Sequence, residues 1–175
     1  YSSAASDVYK RQNLKCVHCY AQAVPVDGAD DISTEQAKTM IDDLAAYGAP
    51  VMLFSGGEPL VRKDLVELAS HATSKGMRAV ISTNGTLITK EKARELKGVG
   101  LSYVGISLDG MEEVHDRFRG VPGAFRKALE GVANCQAEGL KVGLRFTINK
   151  RNVGEIPGIF RLLADGYSVR QIGDA

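Results

Sequence analysis

Four short apolar runs, separated by helical patterns, constrain the fold of this chain more than any other feature. The predicted strands lie at Val51–Phe54, Arg78–Ser82, Tyr103–Leu108 and Lys141–Ile148. Val51–Phe54 is a short continuous apolar run, which is typical of a parallel strand that is buried on both faces. Strands joined through helices pair in parallel, with right-handed crossovers. The alternation therefore predicts an α/β fold, a β/α barrel or part of one, with its strands in chain order.

Caps and apolar periodicity locate the helices between these strands. Ser33-Thr34-Glu35-Gln36 has the sequence of a capping box, and Gly48 is placed to end the helix that follows. Further helices are predicted after Asp64, from about Thr89 to Lys97, over Ala124–Glu138, and from Pro157 onward. Cys135 falls on the apolar face of one of these helices, so we predict that it is a core residue.

The composition fits one globular domain and excludes several kinds of partner. The chain has 175 residues, of which 44% are hydrophobic and 25% charged, and a net charge of +1. This charge balance gives no basic surface for nucleic acid or for a membrane. No apolar run approaches the roughly 18 residues that a membrane span requires. Two of the three cysteines form a C-x-x-C pair, which favours a reducing compartment over a disulfide framework. We expect a cytoplasmic protein with no nucleic-acid or membrane partner.

Both ends of the chain depart from the strand–helix pattern. Residues 1–12 carry small polar residues where an apolar strand would be expected, and we interpret them as a non-native-looking or disordered segment. Residues 165–175 lose the pattern where another strand should begin, which indicates a truncated or non-native tail. The core domain is therefore predicted at residues 13–164, as a partial, truncated barrel.

A cysteine pair precedes the first strand. Cys16 and Cys19 lie three positions apart on a short loop, so both thiolates can face one metal. Such pairs occur in iron–sulfur sites and as halves of zinc sites. The pair alone leaves an iron–sulfur cluster, zinc or no metal open.

Polar and glycine-containing motifs follow the strands, at the edge where a β/α barrel carries its chemistry. These motifs are Ser55-Gly56-Gly57-Glu58-Pro59, Thr83-Asn84-Gly85-Thr86, Ser107-Leu108-Asp109-Gly110 and His115-Asp116-Arg117-Phe118-Arg119-Gly120. Each also has a plainer interpretation. The glycine pair and Asn84 suit tight turns, and Arg119 can form a surface ion pair with Asp116 or Glu113.

Taken together, these motifs resemble the radical S-adenosylmethionine superfamily (radical SAM) over residues 13–164. The cofactor of that superfamily is S-adenosylmethionine (AdoMet). Its hallmark is three cysteines spaced C-x-x-x-C-x-x-C; Cys16, His18 and Cys19 match it, but Gln12 stands at the first cysteine position. The resemblance implies that Cys16 and Cys19 are ligands of a 4Fe-4S cluster and that a second group of residues binds AdoMet. That group is His18, Gly56, Gly57, Glu58, Asn84, Ser107, Asp109 and Arg119.

The resemblance also implies a chemistry. The reduced cluster passes one electron to AdoMet, and the resulting 5′-deoxyadenosyl radical abstracts a hydrogen atom; a flavodoxin or ferredoxin would supply the electron. A glutamine amide is a poor replacement for a soft thiolate. We therefore expect the chain, with Gln12 in place, to lack a stable active cluster.

Within the superfamily, residues 47–50, 53–60, 103–110, 115–120 and 142–149 closely resemble the tetrapyrrole-modifying proteins of haem-d and alternative haem biosynthesis. These alter carboxylate side chains of a sirohaem-derived macrocycle, so the resemblance makes Arg145 a candidate partner for a substrate carboxylate. An internal ion pair of Arg145 with Glu58 or Asp109 is the alternative. A radical SAM peptide maturase, or an inactive barrel fragment that binds zinc or nothing, remain alternative functions.

Overall fold

The computed structural model describes residues 11–17, 19 and 32–164. The predicted end segments at residues 1–10 and 165–175, and also His18, lie outside the described residues. Four parallel strands form one sheet in the order β1-β2-β3-β4. They are β1 (Val51–Phe54), β2 (Arg78–Thr83), β3 (Tyr103–Ser107) and β4 (Val142–Arg145). The predicted strand order and parallel pairing are confirmed.

Six α-helices accompany the sheet in the described part of the chain. They are α1 (Thr34–Ala46), α2 (Leu65–Ser74), α3 (Lys90–Gly98), α4 (Glu112–Arg119), α5 (Ala124–Ala137) and α6 (Ile156–Ala164). Short 3-10 helices also form at Pro59–Val61 and Val153–Glu155. Five of the α-helices were predicted; α4 was not, because its sequence was interpreted only as a motif. No helix in the described ranges is long and apolar enough to cross a membrane.

The first helix begins at the predicted capping box. The backbone N–H of Gln36 donates to Ser33 Oγ at 3.2 Å, and the N–H of Ser33 donates to Gln36 Oε1 at 2.8 Å. Both donors lack partners within the helix, so this exchange satisfies them. Gly48 follows the helix in the left-handed region, with φ of 89°.

In the part of the chain that the structure describes, the hydrophobic core lies on one side of the sheet. Alternate strand residues such as Phe54, Ile81, Val104 and Ile106 are buried against the helices. Cys135 on α5 belongs to this core and is fully buried, as predicted.

The opposite side of the sheet, which we call the open face, carries the other alternate residues. They are Val51, Leu53, Arg78, Val80, Ser82, Tyr103, Gly105, Ser107, Gly143 and Arg145. Val51 and Leu53 are 42% and 46% exposed, so the prediction that β1 is buried on both faces is wrong. The physical reason is that the described helices pack against the other side of the sheet.

Candidate functional site

The segment that contains the two cysteines, residues 11–17 and 19, lies across the carboxyl ends of the strands; we call it the cysteine loop. The N–H of Glu58 donates to the Arg11 carbonyl at 2.7 Å, which joins the loop after β1 to the cysteine loop. At the other end, the N–H groups of Lys15 and Val17 donate to the carbonyls of Arg119 and Phe118, both at 2.9 Å. The cysteine loop is thus fixed between the loop after β1 and the end of α4.

Glu58 joins the loops after β1 and β2. Its side chain is fully buried and accepts hydrogen bonds from the Thr83 hydroxyl (2.7 Å), the Asn84 N–H (2.7 Å) and the Leu60 N–H (3.1 Å). Burial raises the pKa of Glu58, and these hydrogen bonds, together with the charge of Arg119, oppose the rise. In this arrangement the Glu58 carboxylate positions the surrounding backbone.

Asn84 holds its own turn and also contacts the cysteine loop. Its Oδ1 accepts from the N–H and the hydroxyl of Thr86, at 2.9 and 2.7 Å. Its Nδ2 donates to Asn13 Oδ1 at 2.8 Å and to Gln12 Oε1 at 3.0 Å. The turn interpretation and the site interpretation of this residue are therefore compatible.

Arg119 lies between a buried carboxylate and a cysteine. The residue is only 8% exposed; its Nη2 lies 2.5 Å from Asp109 Oδ2, and its Nη1 donates to Cys16 Sγ at 3.6 Å. Asp116, one of the surface partners considered for it, instead accepts from the N–H groups of Gly123 and Phe125, at 2.5 and 2.8 Å. The prediction of a surface ion pair with Asp116 or Glu113 is therefore wrong, because Arg119 is buried at the end of α4 and pairs with Asp109.

Two buried polar side chains, those of His115 and Asn152, hold the backbone of Asp109. The N–H of Asp109 donates to His115 Nδ1 at 3.0 Å, and Asn152 Nδ2 donates to the carbonyls of Asp109 and Thr147, at 3.1 and 2.9 Å. No role was predicted for Asn152. No local sequence pattern around Asn152 indicates this contact, because it forms only when the loop after β4 lies beside the loop after β3.

The remaining predicted residues that the structure describes lie in the same loops or strand ends. Gly56 and Gly57 directly precede Glu58, and Cys19 is exposed beside Cys16, with its N–H donating to the Cys16 carbonyl at 3.3 Å. Ser107 and Arg145 are register partners at the ends of β3 and β4. Arg145 Nη1 donates to Ser82 Oγ at 2.7 Å, a different partner from the two carboxylates considered for it.

The residues present do not fit a cluster held by three thiolates. Gln12 stands at the sequence position of the first cysteine, and its Oε1 accepts from the N–H groups of Asn13 (2.9 Å) and Leu14 (3.2 Å) and from Asn84 Nδ2 (3.0 Å). Among the described residues, no group of three or more His, Cys, Asp or Glu side chains could hold a metal ion. Cys16 and Cys19 provide two thiolates of the three that the family uses.

Comparison with known proteins identifies the family. The model of the radical SAM superfamily matches residues 10–163. The chain belongs to the radical SAM superfamily. The Fe-coproporphyrin III synthase of Methanosarcina barkeri is 65% identical over 89% of this chain and 39% of that protein. The pre-heme d1 synthase of Dinoroseobacter shibae is 42% identical over the same shares.

These names confirm the predicted similarity to tetrapyrrole-modifying radical SAM enzymes. The chain spans about two-fifths of the length of these relatives. A solved structure of anSMEcpe with bound AdoMet matches with a TM-score of 0.75 at 20% identity, over 91% of this chain and 47% of that one. At this identity the match shows the fold, and it confirms the predicted α/β class.

Proposed function

We propose that this chain is the core of a radical SAM enzyme that acts on carboxylate side chains of a tetrapyrrole. The observation that carries the proposal is the position of Arg119, buried between Asp109 and Cys16 at the carboxyl ends of the strands. A relative that is 65% identical and named Fe-coproporphyrin III synthase supports the substrate class. A flavodoxin or ferredoxin as the electron donor is part of the same proposal.

AdoMet supplies the radical in this chemistry, and the residues of this chain would bind and orient it. Arg119 and Ser107 would meet the carboxylate and ribose groups of AdoMet. A guanidinium has five N–H donors, so Arg119 can bind an anionic group while it remains paired with Asp109. The backbone of Gly56 and Gly57 can approach an amino group closely because neither residue has a side chain. Asn84 would line the same space, while Asp109 and Glu58 act by holding these groups in position.

The proposed reaction is that of the family, and it needs a cluster held by three thiolates. With Gln12 in place of the first cysteine, the chain itself would not carry out this reaction. Its amide oxygen is engaged by three protein donors, and an amide is a weak ligand for iron compared with a thiolate. We therefore propose that the present chain cannot retain an active cluster and that Gln12→Cys restores the missing ligand.

The test uses the Gln12→Cys variant after anaerobic iron and sulfide reconstitution. The variant is reduced with dithionite in the presence of AdoMet and a carboxylated iron tetrapyrrole, with a tetrapyrrole-free control. We expect 5′-deoxyadenosine to accumulate faster with the tetrapyrrole and the mass of the macrocycle to change by alteration of a carboxylate side chain. Formation of 5′-deoxyadenosine with an unchanged macrocycle would contradict the substrate class, and a peptide maturase would then be the better proposal.

A further inference from the structure

Two glycines face each other on the open face, and each is covered by a side chain from the neighbouring strand. Gly105 on β3 and Gly143 on β4 are register partners. A Cβ atom on Gly143 would collide with the Tyr103 hydroxyl, and a Cβ on Gly105 would lie 2.5 Å from Arg145 Nε and 3.0 Å from its Cζ. Tyr103 and Arg145 therefore lie flat along the sheet rather than standing away from it.

Space, not backbone conformation, explains these two glycines. Neither Gly105 nor Gly143 is among the residues with positive φ, so any residue could adopt their backbone. Glycine inside a strand weakens it and commonly marks a close approach of another group. Here the approaching groups are the phenol of Tyr103 and the guanidinium of Arg145.

Arg145 is held in place but keeps hydrogen-bonding capacity. Its side chain crosses Gly105 and reaches Ser82 on β2, where Nη1 donates to the hydroxyl at 2.7 Å. A guanidinium has five N–H donors in a planar fork, and one hydroxyl uses only part of that capacity. The residue is exposed, so an anion can reach it.

The chemistry of the open face is apolar and cationic. Its strand positions carry Val51, Leu53, Val80 and Tyr103, together with the cations Arg78 and Arg145. Among these described strand positions there is no carboxylate. This surface is flat and apolar, and the Arg145 guanidinium is held at its edge, at the carboxyl end of β4. Such a surface complements a planar aromatic ring that carries carboxylates at its rim.

We propose that Tyr103 and Arg145, lying flat over Gly143 and Gly105, form a platform for the tetrapyrrole macrocycle, with Arg145 binding one of its carboxylates. This inference rests on the proposed function, since it takes its substrate class from there. It makes Gly105 and Gly143 specificity-determining residues: a side chain at either position would lift the covering group and remove the flat surface.

The test measures binding of iron coproporphyrin III to the 175-residue chain, from the change in its absorption band on titration. Arg145→Gln removes the charge, and Gly105→Ala displaces Arg145 without changing any charge. We expect each to raise the Kd by about 10- to 100-fold, the range for a hydrogen bond to a charged group. Arg78→Gln is the matched control: it removes the same charge from the same face at the far end of β2, and we expect a change below about threefold.

The outcomes separate this inference from the proposed function. Equal binding by the parent and by both variants would overturn the platform while leaving a tetrapyrrole substrate possible elsewhere. Equal weakening by Arg145→Gln and Arg78→Gln would show general charge attraction and would also overturn it. Binding that depends on Arg145 and Gly105, in a chain whose Gln12→Cys form fails to cleave AdoMet, would support the platform and contradict the proposed reaction. No binding by the parent chain would overturn the platform even if Gln12→Cys cleaves AdoMet.

Discussion

The three thiols of this chain have different surroundings. Cys19 is exposed, Cys16 is half-buried beside the Arg119 guanidinium, and Cys135 is fully buried in the core. Burial raises the pKa of the Cys135 thiol to about 12. Only the thiolate reacts with alkylating agents, so Cys135 should be inert in the folded chain.

Alkylation near pH 8, followed by peptide mass spectrometry, tests this difference. We expect Cys19 to be modified rapidly and Cys135 only after denaturant is added, because burial withholds both the thiolate and access to it. Modification of Cys135 in the folded chain at the rate of Cys19 would contradict its place in the core.

The buried carboxyl of Glu58 predicts a dependence of stability on pH. Burial raises its pKa above the ordinary value of 4.5, so folding favours its protonated form. The stability that this group contributes is then greatest below about pH 4.5 and is lost as the pH rises through the higher folded-state pKa. Glu58→Gln removes the titration.

We therefore expect the free energy of unfolding of the parent, relative to that of Glu58→Gln, to fall as the pH rises above about 4.5. Urea denaturation of both proteins at several pH values measures this difference. A relative stability that grows with pH would mean that the donors from Thr83, Asn84 and Leu60 outweigh burial and that the pKa is lowered.

Helix α4 determines how the cysteine loop is attached. Gly120 ends the helix in the left-handed region, with φ of 67°, and a Cβ atom there would collide with the Lys15 carbonyl. The same turn places the Arg119 and Phe118 carbonyls opposite the N–H groups of Lys15 and Val17. A side chain at Gly120 would therefore disturb both the helix end and the cysteine loop.

Gly120→Ala and Gly48→Ala form a matched pair. Gly48 has a similar φ of 89°, but no atom lies within 4 Å of a Cβ placed on it, so its substitution should cost only the left-handed strain, about 1–2 kcal/mol. We expect Gly120→Ala to cost more and, unlike Gly48→Ala, to increase the amide hydrogen exchange of Lys15 and Val17. Equal costs with unchanged exchange would show that α4 does not hold the loop.

The elements were predictable from the sequence to different degrees. The four strands and the helix caps at Ser33 and Gly48 follow from local periodicity and turn chemistry, which depend on neighbouring residues alone. Helix α4 was missed because its exposed face is highly charged and its buried residues, His115, Phe118 and Arg119, include two polar ones. The contacts of Asp109 and Gln12 join distant parts of the chain, and no local pattern encodes them.

At the scale of the whole molecule, the parallel sheet explains why separate motifs meet. All four strands point the same way, so the loops after β1, β2 and β3 lie at one edge, and the cysteine loop crosses that edge. The core packs on the other side of the sheet from the open face and includes neither Cys16 nor Cys19. The fold should therefore persist whether or not a cluster is bound.

The most direct measurement compares the iron content of the parent chain and of Gln12→Cys after identical anaerobic reconstitution, with 5′-deoxyadenosine formed from AdoMet scored in the same samples. If the third thiolate is the missing part of an otherwise complete site, Gln12→Cys will hold about four irons per chain and cleave AdoMet, whereas the parent will hold few and cleave none. Both chains should show the same circular dichroism spectrum, since the core does not depend on the metal. Equal iron and equal cleavage in the two would contradict this account, because another group would then have to replace the thiolate at Gln12.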